Sequence, residues 1–170
     1  MLRRAPELEV LLETPLPGTS SGKDAPASAD VYRRQAESAF RLAGDDWRAS
    51  FGVAADLEAI KDLGDGFLKE GNHRAASAVF QGLLQGISNE YETIQDDEGE
   101  VGAVAVACCE GLGSCLRHEA NAGRRQAILR SLFDYYRRDV DMGGIGLGDE
   151  VPGLIVEQAT REEKRLVIVW

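Results

Sequence analysis

The chain has few of the residues on which catalysis, metal binding and disulfide scaffolds depend. Its 170 residues include two histidines and three cysteines, and they contain no run of 18 apolar residues. An odd cysteine count without a secretory leader is typical of a reduced compartment, so we expect a cytoplasmic location and no membrane-spanning helix. We find no Ser/His/Asp or Cys/His arrangement with supporting sequence context, and therefore expect no enzyme and no cofactor.

Basic residues are also scarce. The chain carries 29 acidic and 19 basic residues, a formal net charge of -10. A field of that sign repels polyanions, so nucleic acid and anionic membranes are not expected partners. A protein or peptide segment is the remaining class of partner.

Alternating strand patterns are missing from the body of the chain, whereas apolar residues recur at helical spacing from Ser28 onward. Prolines, glycines and serines concentrate before that point, so residues 1–27 are predicted to be an N-terminal arm and linker. Residues 7–13 within the arm have the composition of a short helix. Residues 28–170 are long enough for one sizeable core and are predicted to form one all-α domain of six or seven helices, the first ending at Gly44.

Large and small residues alternate at fixed spacing between positions 60 and 80. The residues that define this pattern are Ile60, Leu63, Gly64, Phe67, Gly71, Ala76 and Phe80. Their spacing resembles the tetratricopeptide repeat (TPR), with an aliphatic residue in place of the first aromatic. A small residue on one helix of such a pair receives a large side chain from the other. The pattern predicts antiparallel helical hairpins stacked as a TPR-like superhelix, with Gly71 in the turn.

Several helix ends are marked by capping residues. Asn72 is a predicted N-cap, a fifth helix is predicted to begin near Asn121, and Thr160 with Glu163 is a predicted capping box. Asp97 and Glu100 have the same spacing and predict another box. Residues 143–148 contain four glycines in six positions and are predicted to be a loop.

Three further segments extend the resemblance to a family. They are residues 98–102 (Glu-Gly-Glu-Val-Gly), residues 142–152 (Met-Gly-Gly-Ile-Gly-Leu-Gly-Asp-Glu-Val-Pro) and Thr160 with its following glutamates. Together they resemble the C-terminal helical region of bacterial SWIM zinc-finger-containing proteins, over roughly residues 28–170. The zinc motif of that family is absent here, so no zinc is implied. The resemblance implies a TPR-like accessory domain of a larger bacterial protein.

Arginines are the main candidates for partner contact. Five arginines lie on the predicted fifth helix, at positions 124, 125, 130, 137 and 138, and the candidate partner-binding residues among them are Arg124, Arg130, Arg137 and Arg138. Guanidinium groups bind carboxylates through two parallel hydrogen bonds, which suits an acidic partner. Local ion pairs with acids one turn away, such as Asp134, are the simpler explanation, and both stay open.

Three other clusters have a chemical and a structural interpretation. Cys108, Cys109 and Cys115 suit a metal or redox site, but helical spacing favours small buried side chains, with Cys109 the most exposed. Acids at positions 96–100 resemble the start of a calcium loop, but Ala107 occupies the place of its last ligand, which favours a helix N-terminus. The glycine loop resembles a phosphate cradle, but acids follow it, which favours a tight reversal.

Three functional hypotheses follow from the sequence. The leading one is a non-catalytic helical-repeat scaffold that binds a protein segment. A purely structural or dimerisation domain is the second, and a ligand-binding or enzymatic helical domain that uses residues 143–149 is the third. A groove lined by exposed aromatic residues and arginines favours the first, a large flat apolar patch the second, and a closed pocket at residues 143–149 the third.

Overall fold

The computed structural model describes residues 28–43 and 49–170, in which all regular structure is helical. A 3₁₀ turn, Tyr91–Thr93, lies between the third and fourth of seven α-helices. These helices are α1 (Ala29–Leu42), α2 (Ala49–Lys69), α3 (His73–Glu90), α4 (Glu100–His118), α5 (Ala122–Asp141), α6 (Val151–Gln158) and α7 (Arg161–Val169). The predicted all-α class and helix number are confirmed. The predicted arm over residues 1–27 and the stop at Gly44 lie outside the described residues.

Local capping decides where three of the helices begin. Asn72 and Asn121 each accept a hydrogen bond from the backbone N–H three residues later, at 3.2 and 3.0 Å. Thr160 and Glu163 form the reciprocal capping box. The predicted caps of α3 and α7 and the predicted start of α5 near Asn121 are confirmed, because these bonds satisfy N–H groups that have no partner within the helix.

The predicted capping box of α4 is wrong. Gly99 has a left-handed φ of 73°, so the helix begins at Glu100 and Asp97 lies before its first turn. Asp96 takes the capping role instead. Its carboxylate accepts hydrogen bonds from the N–H groups of Val101 and the following residue, at 3.2 and 2.9 Å.

Glycines bring α1 and α3 into close contact. A Cβ atom placed at Gly82 would lie 2.3 Å from the carbonyl oxygen of Ala29, and one at Gly86 would lie 2.5 Å from Cβ of Ala36. Each interior glycine costs a helix roughly 1 kcal/mol relative to alanine. That cost is offset here because the two backbones can pack at a distance that no other residue type allows.

Two residues of the TPR-like pattern, Gly64 and Phe80, contact each other in the core. This fully buried ring lies between Gly64 of α2 and Gly111 of α4, where added Cβ atoms would come within 2.6 and 2.5 Å of it. The remaining members of the pattern have differing environments. Phe67 and Ala76 are buried, Ile60 and Leu63 are partly buried against the core, and Gly71 has a left-handed φ of 73° in the α2–α3 turn.

The principal helix contacts follow chain order. Each helix packs mainly on the next helix and the next but one: α1 on α2 and α3, α2 on α3 and α4, α3 on α4 and α5, α4 on α5 and α6, and α5 on α6 and α7. The most extensive contact is that between α1 and α3. A groove lies between α3 and α5, because α3 contacts α5 less extensively than it contacts α1, α2 or α4.

Candidate functional site: the α3–α5 groove

Two adjoining cavities of about 580 and about 180 Å³ lie between α3 and α5. They share Ala29 and Gln81, and we refer to them together as the α3–α5 groove. The residues that line it are Ala29 of α1; Arg74, Ser77, Ala78, Gln81, Leu84, Gln85, Ser88 and Asn89 of α3; Glu119; and Arg124, Ala127, Ser131, Asp134, Tyr135 and Arg138 of α5. On each helix these positions recur every three or four residues, so they form one continuous face.

Polar side chains cross the groove and connect its walls. The Ser131 hydroxyl on α5 donates to Oε1 of Gln81 on α3 at 3.3 Å, and the Gln81 amide donates to the Ser77 hydroxyl at 2.6 Å. Asn89 donates to Glu37 of α1 at 2.9 Å. Hydrogen bonds between side chains therefore span part of the groove.

Two of the four candidate arginines lie at opposite ends of the groove. Arg124 donates two hydrogen bonds to Glu119, at 2.7 and 3.0 Å, and its side chain is 52% exposed. Arg138 pairs with Glu92 and is 40% exposed. Both guanidinium groups are held in position by a carboxylate while part of each remains open to solvent.

The other two candidate arginines lie outside the groove. Arg130 donates to Asp134 at 3.0 Å, and its guanidinium carbon is 5.1 Å from the centre of the Trp170 ring. Arg137 is exposed one heptad further along the same side of α5. The structure thus divides the predicted arginine set into a groove pair and an outer pair.

The side chain of Arg125 is held by hydrogen bonds to three other parts of the fold. Its guanidinium group donates to Glu163 of α7 at 2.7 and 3.0 Å and to the carbonyl groups of Leu116 and Gln158. The same ion pair is the first cause of the lowered pKa of Glu163, which is about 2. Arg125 therefore connects α5 to the ends of α4 and α6 and to the start of α7.

The glycine loop is organised around a buried aspartate that the sequence analysis missed. The Asp139 carboxylate, 2% exposed, accepts hydrogen bonds from the N–H groups of Ile145, Leu147 and Gly148 at 3.1 to 3.2 Å. Leu147 packs against Gly102 of α4, where an added Cβ atom would lie 2.8 Å from the Cδ2 atom of Leu147. The loop N–H groups that a phosphate would need therefore already donate to the side chain of Asp139.

The cysteines are more enclosed than the sequence indicates. Cys109, predicted to be the most exposed, is 1% exposed, because its helix is covered on that side by α5 and α6. Burial raises the pKa of the Cys109 and Cys115 thiols to about 12 and raises that of Cys108 well above its usual value. A thiol held in its neutral form is a poor nucleophile and metal ligand.

The two histidines meet at the α3–α4 end of the molecule. Their rings stack with centroids 4.2 Å apart, and Nδ1 of His118 lies 2.9 Å from the carbonyl oxygen of Ser114. Burial and the neighbouring His118 lower the pKa of His73. Within residues 28–43 and 49–170 no group of three His, Cys, Asp or Glu side chains is placed to hold a metal ion.

Among the described helices, none has both the length and the apolar character needed to cross a membrane. Comparisons with protein-family models, with curated proteins and with solved structures found no match. The fold and the groove therefore define the protein as a class: an all-helical domain with seven described helices and a groove between α3 and α5 that has an arginine at each end.

Proposed function

We propose that this protein is a non-catalytic, TPR-like helical scaffold that binds a protein segment in the α3–α5 groove, as an accessory domain of a larger bacterial protein. The observation that carries the proposal is the groove itself, with Arg124 and Arg138 at its ends. The order of helix contacts supports it, because stacked helical hairpins contact only their neighbours along the chain. Partly exposed guanidinium groups suit an acidic segment.

Charge reversal at the two arginine pairs tests this function. Arg124→Glu with Arg138→Glu changes the groove, whereas Arg130→Glu with Arg137→Glu changes the outer side of the same helix. Both pairs are solvent-exposed, and exposed ion pairs contribute only about 0.2–1 kcal/mol each, so both variants are expected to fold. Each variant and the unchanged chain serve as bait in a lysate of the source organism, with captured proteins identified by mass spectrometry.

The expected result is a protein captured by the unchanged chain and by the outer variant, and lost with the groove variant. Capture that survives the groove substitutions, or that is lost equally with both pairs, would contradict binding in the groove. Circular dichroism of the three proteins establishes that any loss of capture is not a loss of fold.

Exposed apolar residues near the C-terminus favour a second candidate, a structural or dimerisation domain. Val156 on α6 and Ile168 and Val169 on α7 are 65%, 85% and 78% exposed. A contiguous exposed apolar patch is characteristic of an association surface. Sedimentation equilibrium of the unchanged chain and of an Ile168→Asp variant tests this candidate: a dimer that the substitution dissociates would support it, and a monomer in both cases would oppose it.

A further inference from the structure

We propose that the α3–α5 groove binds the main chain of an extended protein segment through a row of three carboxamide side chains on α3. Gln81, Gln85 and Asn89 all line the larger cavity of the groove. They are four residues apart, so they lie on one face of the helix at successive turns. The inference rests on the proposed function, because it specifies what the groove recognises in a bound segment.

The spacing of the carboxamide row matches that of an extended chain. Four residues of an α-helix rise about 6 Å, and two residues of a β-strand span roughly 6.5 Å. In an extended chain the N–H and C=O groups of one residue point to the same side, and those of the next residue point to the other side. A segment that runs along α3 would therefore present every second residue to one carboxamide of the row.

A carboxamide has both of the groups that bind a peptide main chain. Its oxygen accepts a hydrogen bond from a backbone N–H group, and its NH₂ group donates to a backbone carbonyl oxygen. Backbone hydrogen bonds of this kind do not depend on the side chains of the bound segment. We therefore expect the groove to accept segments of differing sequence, provided that they are extended.

Two members of the row are already held in position by neighbouring side chains. Gln81 donates to Ser77 at 2.6 Å and accepts from Ser131 at 3.3 Å, and its amide retains a second N–H and a second lone pair. Asn89 donates to the carboxylate of Glu37 at 2.9 Å. Because a carboxylate only accepts, this bond leaves the Asn89 oxygen as an acceptor. Side chains that are fixed before binding lose little rotamer freedom when a segment binds.

The other residues of the larger cavity have less to offer a side chain of the segment. Leu84 and Tyr135, its largest apolar residues, are 2% and 3% exposed. Its two charged residues, Asp134 and Arg138, are each paired with a group of opposite charge. Gln85, in the middle of the row, is exposed. The row is therefore the main set of hydrogen-bonding groups available to a main chain.

Peptides selected from a phage library of random dodecapeptides test the inference with the full chain. The groove variant is Gln85→Ala, and its matched control is Gln126→Ala, which changes an exposed glutamine of α5 outside the groove. Selected peptides are expected to bind the control as tightly as the unchanged chain. They are expected to bind the groove variant roughly tenfold more weakly, because two hydrogen bonds are lost. Circular dichroism checks that both variants fold.

N-methylation of a selected peptide, one residue at a time, separates main-chain from side-chain recognition. The expected result has a period of two, with weaker binding where the lost N–H faces α3 and a smaller effect at the intervening residues. A uniform or absent effect of N-methylation, with binding lost only on alanine substitution of the peptide, would overturn main-chain recognition and leave the proposed function standing. Peptides that bind the groove variant as tightly as the unchanged chain, or a selection without binders, would overturn both.

Discussion

The packing around Phe80 leaves no space for one added carbon atom at either of two neighbouring glycines. Its ring fills the space that Cβ atoms would occupy at Gly64 and Gly111, on two different helices. A ring held along both edges cannot move away from an added methyl group without displacing a helix. Because protein interiors are packed to crystal-like density, we expect the cost of such a change to appear as lost stability rather than as a local adjustment.

Alanine substitution of the glycines tests this packing. Gly64→Ala and Gly111→Ala are each expected to cost about 1–3 kcal/mol of overpacking, partly offset by a helix-propensity gain of up to about 1 kcal/mol. Gly52→Ala is the matched control, because Gly52 is also on α2 but has open space around its Cβ position, so it should stabilise. Urea denaturation of the three variants measures the difference.

A double substitution separates overpacking from other effects. Phe80→Leu removes part of the ring, so Gly64→Ala should cost less in that background than in the unchanged chain. An equal cost in both backgrounds would mean that the methyl group does not meet Phe80.

The sequence predicts some of these residues and not others for a physical reason. Gly64 and Phe80 stand within one repeat pattern, where spacing along the chain specifies which helix faces meet. Gly111 and Asp139 act through partners that only the assembled fold brings near them, and no local pattern marks them. The exposure predicted for Cys109 fails for the same reason, since α5 and α6 cover that side of α4.

At the scale of elements, helix starts are predictable where the cap lies within four residues. Asn72, Asn121 and Thr160 are such cases, because each side chain bonds an N–H of its own first turn. The start of α4 depends instead on the left-handed backbone of Gly99, which changes which acid reaches the free N–H groups. The arginines of the candidate groove share a helix in the sequence, but only the packing of α5 against α3 divides them into a groove pair and an outer pair.

The glycine loop is an element whose shape depends on one carboxylate. Asp139→Asn leaves an amide with fewer acceptor sites facing three backbone N–H groups, so we expect a loss of about 1–3 kcal/mol. Asp141→Asn, an exposed position on the same helix end, should change stability by less than about 0.5 kcal/mol. Thermal denaturation compares the two. Equal effects would show that the loop does not depend on Asp139.

Helix α7 is the element most dependent on electrostatics, because none of its residues is buried. Arg125 lowers the pKa of Glu163 to about 2. A lowered carboxyl pKa stabilises the folded state fully above the unfolded value of about 4.3, and that contribution is lost as pH falls toward 2. We therefore expect α7 to detach as the pH falls from about 4.3 toward 2.

Trp170 provides the measurement for this detachment. Its ring lies 6.1 Å from that of Phe133 and under the Arg130 guanidinium. In a Trp47→Phe background, Trp170 is the one remaining tryptophan, and its fluorescence should change between pH 4.3 and 2. In a Glu163→Gln variant the change should already be present at neutral pH. A signal that is the same in both proteins at neutral pH would contradict this role of the ion pair.

The described helices form a chain of neighbouring contacts in which α3 is the most enclosed helix. Helix α3 packs on α1, α2, α4 and α5 and carries many of the buried residues, whereas α7 carries none. Hydrogen exchange under native conditions should therefore be slowest in α3 and fastest in α7, because opening the end of such a stack breaks the fewest contacts. Equal protection in the two helices would indicate a single cooperative unit instead.

The order of the helix contacts also bears on how the chain acquires its fold. Principal contacts reach no further than the second helix along the chain. Pairing over short separations involves small loop-closure costs and is associated with fast folding. Domains of this kind can begin to fold during synthesis, from the N-terminal side. On the ribosome, α1 and α3 would close their glycine contact while α5 to α7 are still being made.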